Sequence, residues 1–289
     1  LKRNAQTIYL SRVCERGDGW TSNLLRQQKM NRHLLLIGPG YLGKEIQRAF
    51  VAAGWLVTVA SRSSQYSVDL SDLESVESLA DELSSDRIFP SHVIHCASAS
   101  AGRGASAEVR LNCYLDVYKK GCENLTEVFL DAHILFTSST SVYGQQDGSI
   151  VTEDSITQPS ADTAKVLLDA EYAILDANGT VVRLSGIYGD KKSYLLTRLF
   201  SGEATMEGRG ERILNHIHHR DGASACLLLL ERKLRGIYNV SETTNLTLKE
   251  TYSSLCEKFS LPMPPSIPAS ESTRSGLNKR VSNQKMLDY

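Results

Sequence analysis

The chain has no Cys-x-x-Cys pair, no apolar run of membrane-spanning length and almost no net charge. Each absence excludes something. A spanning helix needs about 20 apolar residues, whereas the run Ala225–Leu230 sits between Asp221 and Glu231. A formal charge of −1 gives no general pull toward nucleic acid or an anionic membrane, and neither is expected as a partner. Cys14, Cys96, Cys113, Cys122, Cys226 and Cys256 form no disulfide or zinc pattern and read as reduced thiols of a cytoplasmic protein. His216, His218 and His219 cluster, but no thiol or carboxylate stands near them at metal-ligand spacing, so no metal site is predicted. Internal repeats and low-complexity tracts are also missing.

What is present is ordinary globular material: 41% apolar and 22% charged over 289 residues, enough for one large α/β domain or a domain with a small lobe. Residues 1–29 carry no periodic pattern and several basic residues, and end before Met30. They read as an upstream extension or misassigned start, with a basic targeting peptide as the alternative that Glu15 and Asp18 disfavour.

From Met30 onward, strand and helix patterns alternate. Strands are predicted at His33–Ile37, Trp55–Ala60, Tyr66–Leu70, Ser91–Ala97, His133–Thr137, Thr180–Leu184 and Gly236–Val240. Helical spacing joins Leu42, Ile46 and Phe50. It recurs in Leu73–Leu83, in one long helix through Tyr118, Cys122 and Leu125, and in Ala164–Ile174, Ser193–Phe200 and Asp221–Arg232. Thr247 and Glu250 have the spacing of a capping box for a last helix. Gly202–Gly210 and Leu261–Pro268 read as loops. The alternation predicts an α/β fold: a Rossmann-type doubly wound parallel sheet with a small C-terminal substrate lobe. Residues 30–185 form its dinucleotide-binding domain and 186–289 the lobe, which returns one strand to the sheet.

Between the first strand and helix stands Gly38-Pro-Gly-Tyr-Leu-Gly43. In a G-x-G-x-x-G turn the first glycine permits the tight turn, the second lets a pyrophosphate approach the backbone, and the third lets helix and strand pack closely. The helix N-terminus, opened by Tyr41 and Leu42, then attracts phosphate. The second strand ends Ala60-Ser-Arg-Ser-Ser64 with no acid to bind a ribose 2′-hydroxyl. Arg62 could pair with a 2′-phosphate, with Ser61 or Ser63 adding hydrogen bonds, so NADP is preferred and NAD is the alternative. Arg62 as a solvated surface cation is the other reading.

Phe136-Thr-Ser-Ser-Thr-Ser-Val-Tyr-Gly144, Arg183-Leu-Ser-Gly-Ile-Tyr-Gly189, Asn215-His-Ile-His-His-Arg-Asp221, Gly236-Ile-Tyr-Asn-Val240 and Lys279-Arg-Val-Ser-Asn283 follow in order. Together they resemble the extended short-chain dehydrogenases/reductases, the NAD-dependent epimerase/dehydratase family. The resemblance implies hydride transfer at a carbonyl or alcohol carbon of a small-molecule substrate, and leaves a homodimer open. It implies a cofactor site that includes Cys96 and Ala97 at the end of the fourth strand, Ser139 as the hydroxyl on the substrate oxygen, and a cleft with Arg183, Asn215, His216 and His218.

In that family a tyrosine four residues before a helix lysine moves the proton, and the lysine holds the nicotinamide ribose. If Lys165 is that lysine, the tyrosine position is Ala161. The resemblance is therefore to an atypical member. Tyr143, Asp162, Thr163 or Lys165 itself are the candidate substitutes, Tyr143 reading more naturally as packing and Lys165 as a ribose ligand or a solvent-facing residue. The expected function is an NAD(P)-dependent oxidoreductase or epimerase-like enzyme. A non-catalytic dinucleotide-binding or redox-sensing protein is the alternative that Ala161 motivates.

Overall fold

A computed structural model describes residues 32–102, 104–268 and 277–289. The expected extension 1–29, the start at Met30 and Cys14 lie outside the described residues. In chain order the first elements are β1 (His33–Ile37), α1 (Tyr41–Ala52), β2 (Leu56–Ser61), β3 (Tyr66–Ser67), α2 (Leu73–Ser85) and β4 (His92–His95). They are followed by α3 (Ala107–Tyr114), a π-helical turn at Leu115–Lys120, α4 (Gly121–Val128), β5 (His133–Ser139), β6 (Ile150–Val151), α5 (Asp162–Asp176) and β7 (Thr180–Leu184). The remainder holds β8 (Gly186–Tyr188), α6 (Tyr194–Phe200), β9 (Met206–Glu207), β10 (His216–His218), α7 (His219–Glu231), β11 (Gly236–Val240), α8 (Leu248–Phe259), β12 (Ser266–Ile267), β13 (Arg280–Val281) and α9 (Gln284–Leu287).

Seven parallel strands make the central sheet in the order β11-β7-β5-β4-β1-β2-β3. Leu34, Leu35, Leu36 and Ile37 are all buried, because helices cover both faces. On one face Leu42, Ile46 and Phe50 of α1 pack with Ala223, Cys226, Leu229 and Leu230 of α7 over Leu34 and Leu36. On the other, Val76, Leu79 and Leu83 of α2, Leu125 of α4 and Leu167, Ala170 and Ile174 of α5 cover Leu35 and Ile37. The predicted doubly wound parallel sheet is the observed fold.

Several element bounds differ from the sequence reading. The third strand keeps only Tyr66–Ser67 of the expected Tyr66–Leu70, because Val68 and Leu70 turn into the core beneath α2. The expected long helix is two α-helices joined by the π turn, a register shift that periodicity averages out. The expected loops Gly202–Gly210 and Leu261–Pro268 meet each other: β9 pairs with β12. Thr247 and Glu250 form the capping box, Glu250 N donating to Thr247 Oγ1 at 3.2 Å and Thr247 N to Glu250 Oε2 at 2.8 Å. Cys96, Cys113, Cys122, Cys226 and Cys256 are free thiols, and no helix among the described residues is long and apolar enough to cross a membrane.

Residues after Gly186 leave the sheet, and all but β11 stay outside it. β8 pairs with β10. Leu199, Met206, Leu214, Leu248, Tyr252 and Cys256 form a separate apolar cluster. The open side of this layer and the end of β5 bound the main cleft.

Candidate active site

The strand order reverses between β1 and β4, and open α/β sheets bind ligands in the crevice at such a point. The glycine turn stands there, and its three glycines are not alike. Gly38 has φ +93°, and a Cβ on it would lie 2.3 Å from the backbone of Ala97. A Cβ on Gly43 would lie 2.2 Å from Gly38 O and 3.1 Å from Cys96 Sγ. Both glycines are therefore required by packing within the protein. A Cβ on Gly40 meets nothing within 4 Å. Gly40 is also the N-cap of α1 and has no side chain to cap the helix, whose first turn carries no acid. The result is an open cradle of backbone N–H groups at a helix N-terminus, the arrangement that binds pyrophosphate.

The supporting residues explain themselves locally. Cys96 Sγ donates to Gly38 O at 3.0 Å, and burial pushes its thiol far up, so Cys96 is an inert brace behind the turn. Leu42 is buried in the core and offers the cradle only its backbone. Tyr41 stacks on His219 at 4.7 Å and donates from its hydroxyl to Asp190 O at 3.2 Å, tying the turn to the segment after β8. At the end of β2, Ser63 N donates to Ser61 Oγ at 3.3 Å and Ser61 Oγ to Ser64 Oγ at 3.0 Å. This tight turn holds Arg62 exposed.

Ser139 ends β5 and starts a 3-10 turn, Thr140–Val142; its Oγ accepts from Ser141 N at 3.1 Å. Ser139 lines a cleft of about 630 Å³ together with Tyr188, Asn215, His216, Glu242 and Lys279. Tyr188 donates to Glu242 Oε1 at 2.5 Å, and burial with this bond pushes the phenol up to about 12. Burial lowers His216. Both ends of the Asn215 amide are used by the chain: Nδ2 donates to Lys279 O at 2.9 Å and Oδ1 accepts from Val281 N at 2.8 Å. Asn215 thus clamps the segment that carries Lys279.

Four expected site residues stand elsewhere. Arg183 does not reach the cleft: it is buried under β5, where its Nη2 lies 2.6 Å from Glu171 Oε2 and its Nη1 donates to Tyr143 OH at 2.9 Å. Tyr143 is fully buried, and its hydroxyl donates to Asn239 Oδ1 at 2.8 Å, so it has no access to a substrate. Lys165 lies outside the cleft lining, exposed and paired with Asp162 at 2.8 Å. His218 turns toward Tyr188 and His219, outside the cleft lining. One ligand atom each from His218, His219 and Asp190 lies within 4.8 Å of the others, and Arg220 already holds Asp190 Oδ2 at 2.6 Å.

Ala161, Asp162 and Thr163 border a second hollow of about 830 Å³ with Arg110, Tyr114 and Ser141. Sequence reasoning passed over Glu242 and Lys279 as site residues. Glu242 follows the C-terminal end of a parallel strand, the edge where such sheets bind ligands, and that position was the available signal.

Sheet order, switch-point turn and cleft define an extended short-chain dehydrogenase/reductase fold. The family model for the RmlD substrate binding domain matches residues 32–254, and the chain belongs to that family. The protein YeeZ of Escherichia coli strain K12 is 28% identical over 218 residues, covering 72% of this chain and 77% of YeeZ. Two solved structures show the same fold. The dTDP-4-dehydrorhamnose reductase of Bacillus anthracis str. Ames, in complex with NADP, is 17% identical with a TM-score of 0.72, covering 89% of this chain and 92% of that one. The UDP-glucose 4-epimerase of Thermotoga maritima, with UDP-glucose, is 18% identical with a TM-score of 0.71, covering 89% and 91%.

Proposed function

We propose that the chain is an NAD(P)-dependent reductase or epimerase acting on a carbonyl or alcohol carbon of a sugar nucleotide in the Ser139 cleft. The observation that carries this reading is the open space at Gly40 over an uncapped helix N-terminus, between two glycines that packing makes obligatory. The pyrophosphate belongs there, and a bound nicotinamide supplies or accepts the hydride. Arg62 and the Ser61–Ser64 turn present donors where an adenosine 2′-phosphate would sit, which favours NADP. The NADP named with the Bacillus anthracis reductase and the UDP-glucose named with the Thermotoga maritima epimerase support the cofactor class and the substrate class.

Within the cleft, Ser139 accepts the Ser141 N–H and so keeps its own O–H free to donate to a substrate oxygen. Arg212, exposed at the mouth, suits the diphosphate of a nucleotide sugar. The cleft volume lies within the range of sites that enclose a small ligand. Titration with NADPH and NADH, followed by turnover of 4-keto sugar nucleotides read at the nicotinamide absorbance, tests the reading. Substrate-dependent oxidation that is lost in Ser139→Ala is expected.

Ala161 and the outward-paired Lys165 favour a second reading, a nucleotide-binding sensor without turnover. Tight NADPH binding with no oxidation across the keto-sugar panel would select it.

A further inference from the structure

Lys279 is a buried cation with no carboxylate partner among the described residues. Lys279 is in the cleft lining with Ser139 and is 7% exposed. Among the described residues Nζ makes one hydrogen bond, to Tyr143 O at 2.6 Å. An ammonium has three protons to donate, so two are uncommitted among the described residues. Burying a charge costs several kcal/mol, roughly, unless it is paired, and a group so placed in a cleft is a candidate for a functional role.

The groups around Nζ do not neutralise it. Tyr143 faces it with a carbonyl and a ring, and behind Tyr143 the Glu171 carboxylate is spent on Arg183. In the same cleft lining Glu242 is engaged by Tyr188, and the other titratable groups are His216, Arg212 and Tyr194. The adjacent Arg280 turns away to Gly148 O. The bond to Tyr143 O also places Nζ against the turn that Ser139 begins, since Tyr143 N donates to Thr140 O at 3.3 Å.

We propose that Lys279 is the proton donor to the reacting substrate oxygen beside Ser139, in the role that Ala161 cannot fill. The proposal rests on the reading of this cleft as a site of carbonyl–alcohol hydride transfer. In reduction, the carbonyl carbon accepts hydride from the reduced nicotinamide and the π pair moves onto oxygen. That oxygen then takes a proton from Nζ: one N–H bond breaks, one O–H bond forms, and neutral Lys279 regains its proton from water in the open cleft. Oxidation runs the same transfer backwards. Desolvation pushes the Lys279 ammonium down to about 8, which places both protonation states within reach near neutral pH.

The test joins a reactivity measurement to kinetics. Trace acetylation of the intact protein across pH, read by mass spectrometry at Lys279, should show half-maximal labelling near pH 8. A mixture of NADP and a 4-hydroxy sugar nucleotide should slow labelling at least about 5-fold. NADPH oxidation by a 4-keto sugar nucleotide should lose kcat as pH rises through the same region. Lys279→Met should lower kcat by about 100-fold or more and remove that limb, with KM within about 3-fold. Lys279→Arg, which keeps the charge and the bond to Tyr143 O, should fold and remain equally slow. Wild-type labelling that follows surface lysines, or a Lys279→Arg enzyme with wild-type kcat and pH limb, overturns the proposal alone. A wild-type chain that oxidises NADPH with no member of the keto-sugar panel overturns the reading of the cleft and the proposal with it.

Discussion

Glu171 and Arg183 form a buried ion pair beneath the sheet end, Arg183 Nη2 to Glu171 Oε2 at 2.6 Å, with both side chains under 5% exposed. The pair is the centre of a closed network. Ser138 Oγ donates to Glu171 Oε1 at 2.5 Å, Tyr143 OH bridges Arg183 to Asn239, and Asn239 N donates to Glu153 Oε1 at 2.7 Å. Removing one partner strands the other as an uncompensated buried charge. Glu171→Ala should therefore lose about 3–5 kcal/mol of stability, measured by urea denaturation. A loss below about 1 kcal/mol, the value of an exposed pair, would show that the network is solvated.

Buried histidines make the fold acid-sensitive. His95 donates from Nε2 to Val117 O at 2.9 Å. His133 must donate from Nε2 to Thr180 Oγ1, because that hydroxyl gives its own proton to Leu234 O. The Nδ1 atom of each is buried with no hydrogen-bond partner among the described residues. Desolvation pushes His95 down to about 4 and, helped by Arg235, His133 to about 3 and His92 to about 4. Below the unfolded value of 6.5 the unfolded chain binds these protons first, so stability falls as pH drops from 6.5 toward 4. Each proton taken up contributes a slope of up to about 1.4 kcal/mol per pH unit. Urea midpoints at several pH values give the slope, and a flat profile over that window contradicts the buried, neutral histidines.

Much of this was legible in the sequence, because the governing signals are local. Buried parallel strands announce themselves as runs such as Leu34–Ile37, and the glycine turn as spacing. The capping box at Thr247 and Glu250 needs only three residues of separation. Arg183 and Lys279 were not legible in the same way, whereas Tyr143 is packed as its sequence reading favoured. Arg183 is decided by Glu171, 12 residues away, and Lys279 by a carbonyl 136 residues away. Sequence shows an arginine near the end of a strand; whether it faces a cleft or a buried carboxylate is set by long-range packing. Ala161 by itself points to no substitute, and Lys279, proposed above for that role, lies in the last described segment of the chain.

On the proposed reading, Arg62 governs the choice between cofactors. It is exposed, and no ion pair within 4 Å engages it among the described residues. Pairing with a 2′-phosphate adds charge-assisted hydrogen bonds worth about 1.5–3 kcal/mol. Arg62→Ala should weaken NADPH binding by about 10-fold or more and leave NADH within about 2-fold. Parallel fluorescence titrations measure both, and an equal loss for the two cofactors removes Arg62 from the 2′-position.

Gly43 and Gly40 separate packing from binding. Gly43→Ala drives a Cβ against Gly38 O and Cys96 Sγ, and should cost about 1–3 kcal/mol by overpacking. A thermal melt showing no loss would mean that the helix can retreat from the strand.

Gly40→Ala is the complementary change and the most direct test of the cofactor turn. The backbone at Gly40, with φ −78° and ψ −153°, accommodates alanine, and the added methyl meets no protein atom within 4 Å. Isothermal titration of wild type and Gly40→Ala with NADPH, beside thermal melts of both, reads out binding and folding separately. The account predicts matched melting temperatures and at least a 10-fold loss of affinity in the variant. Equal affinity for the two proteins would contradict a pyrophosphate seated over Gly40.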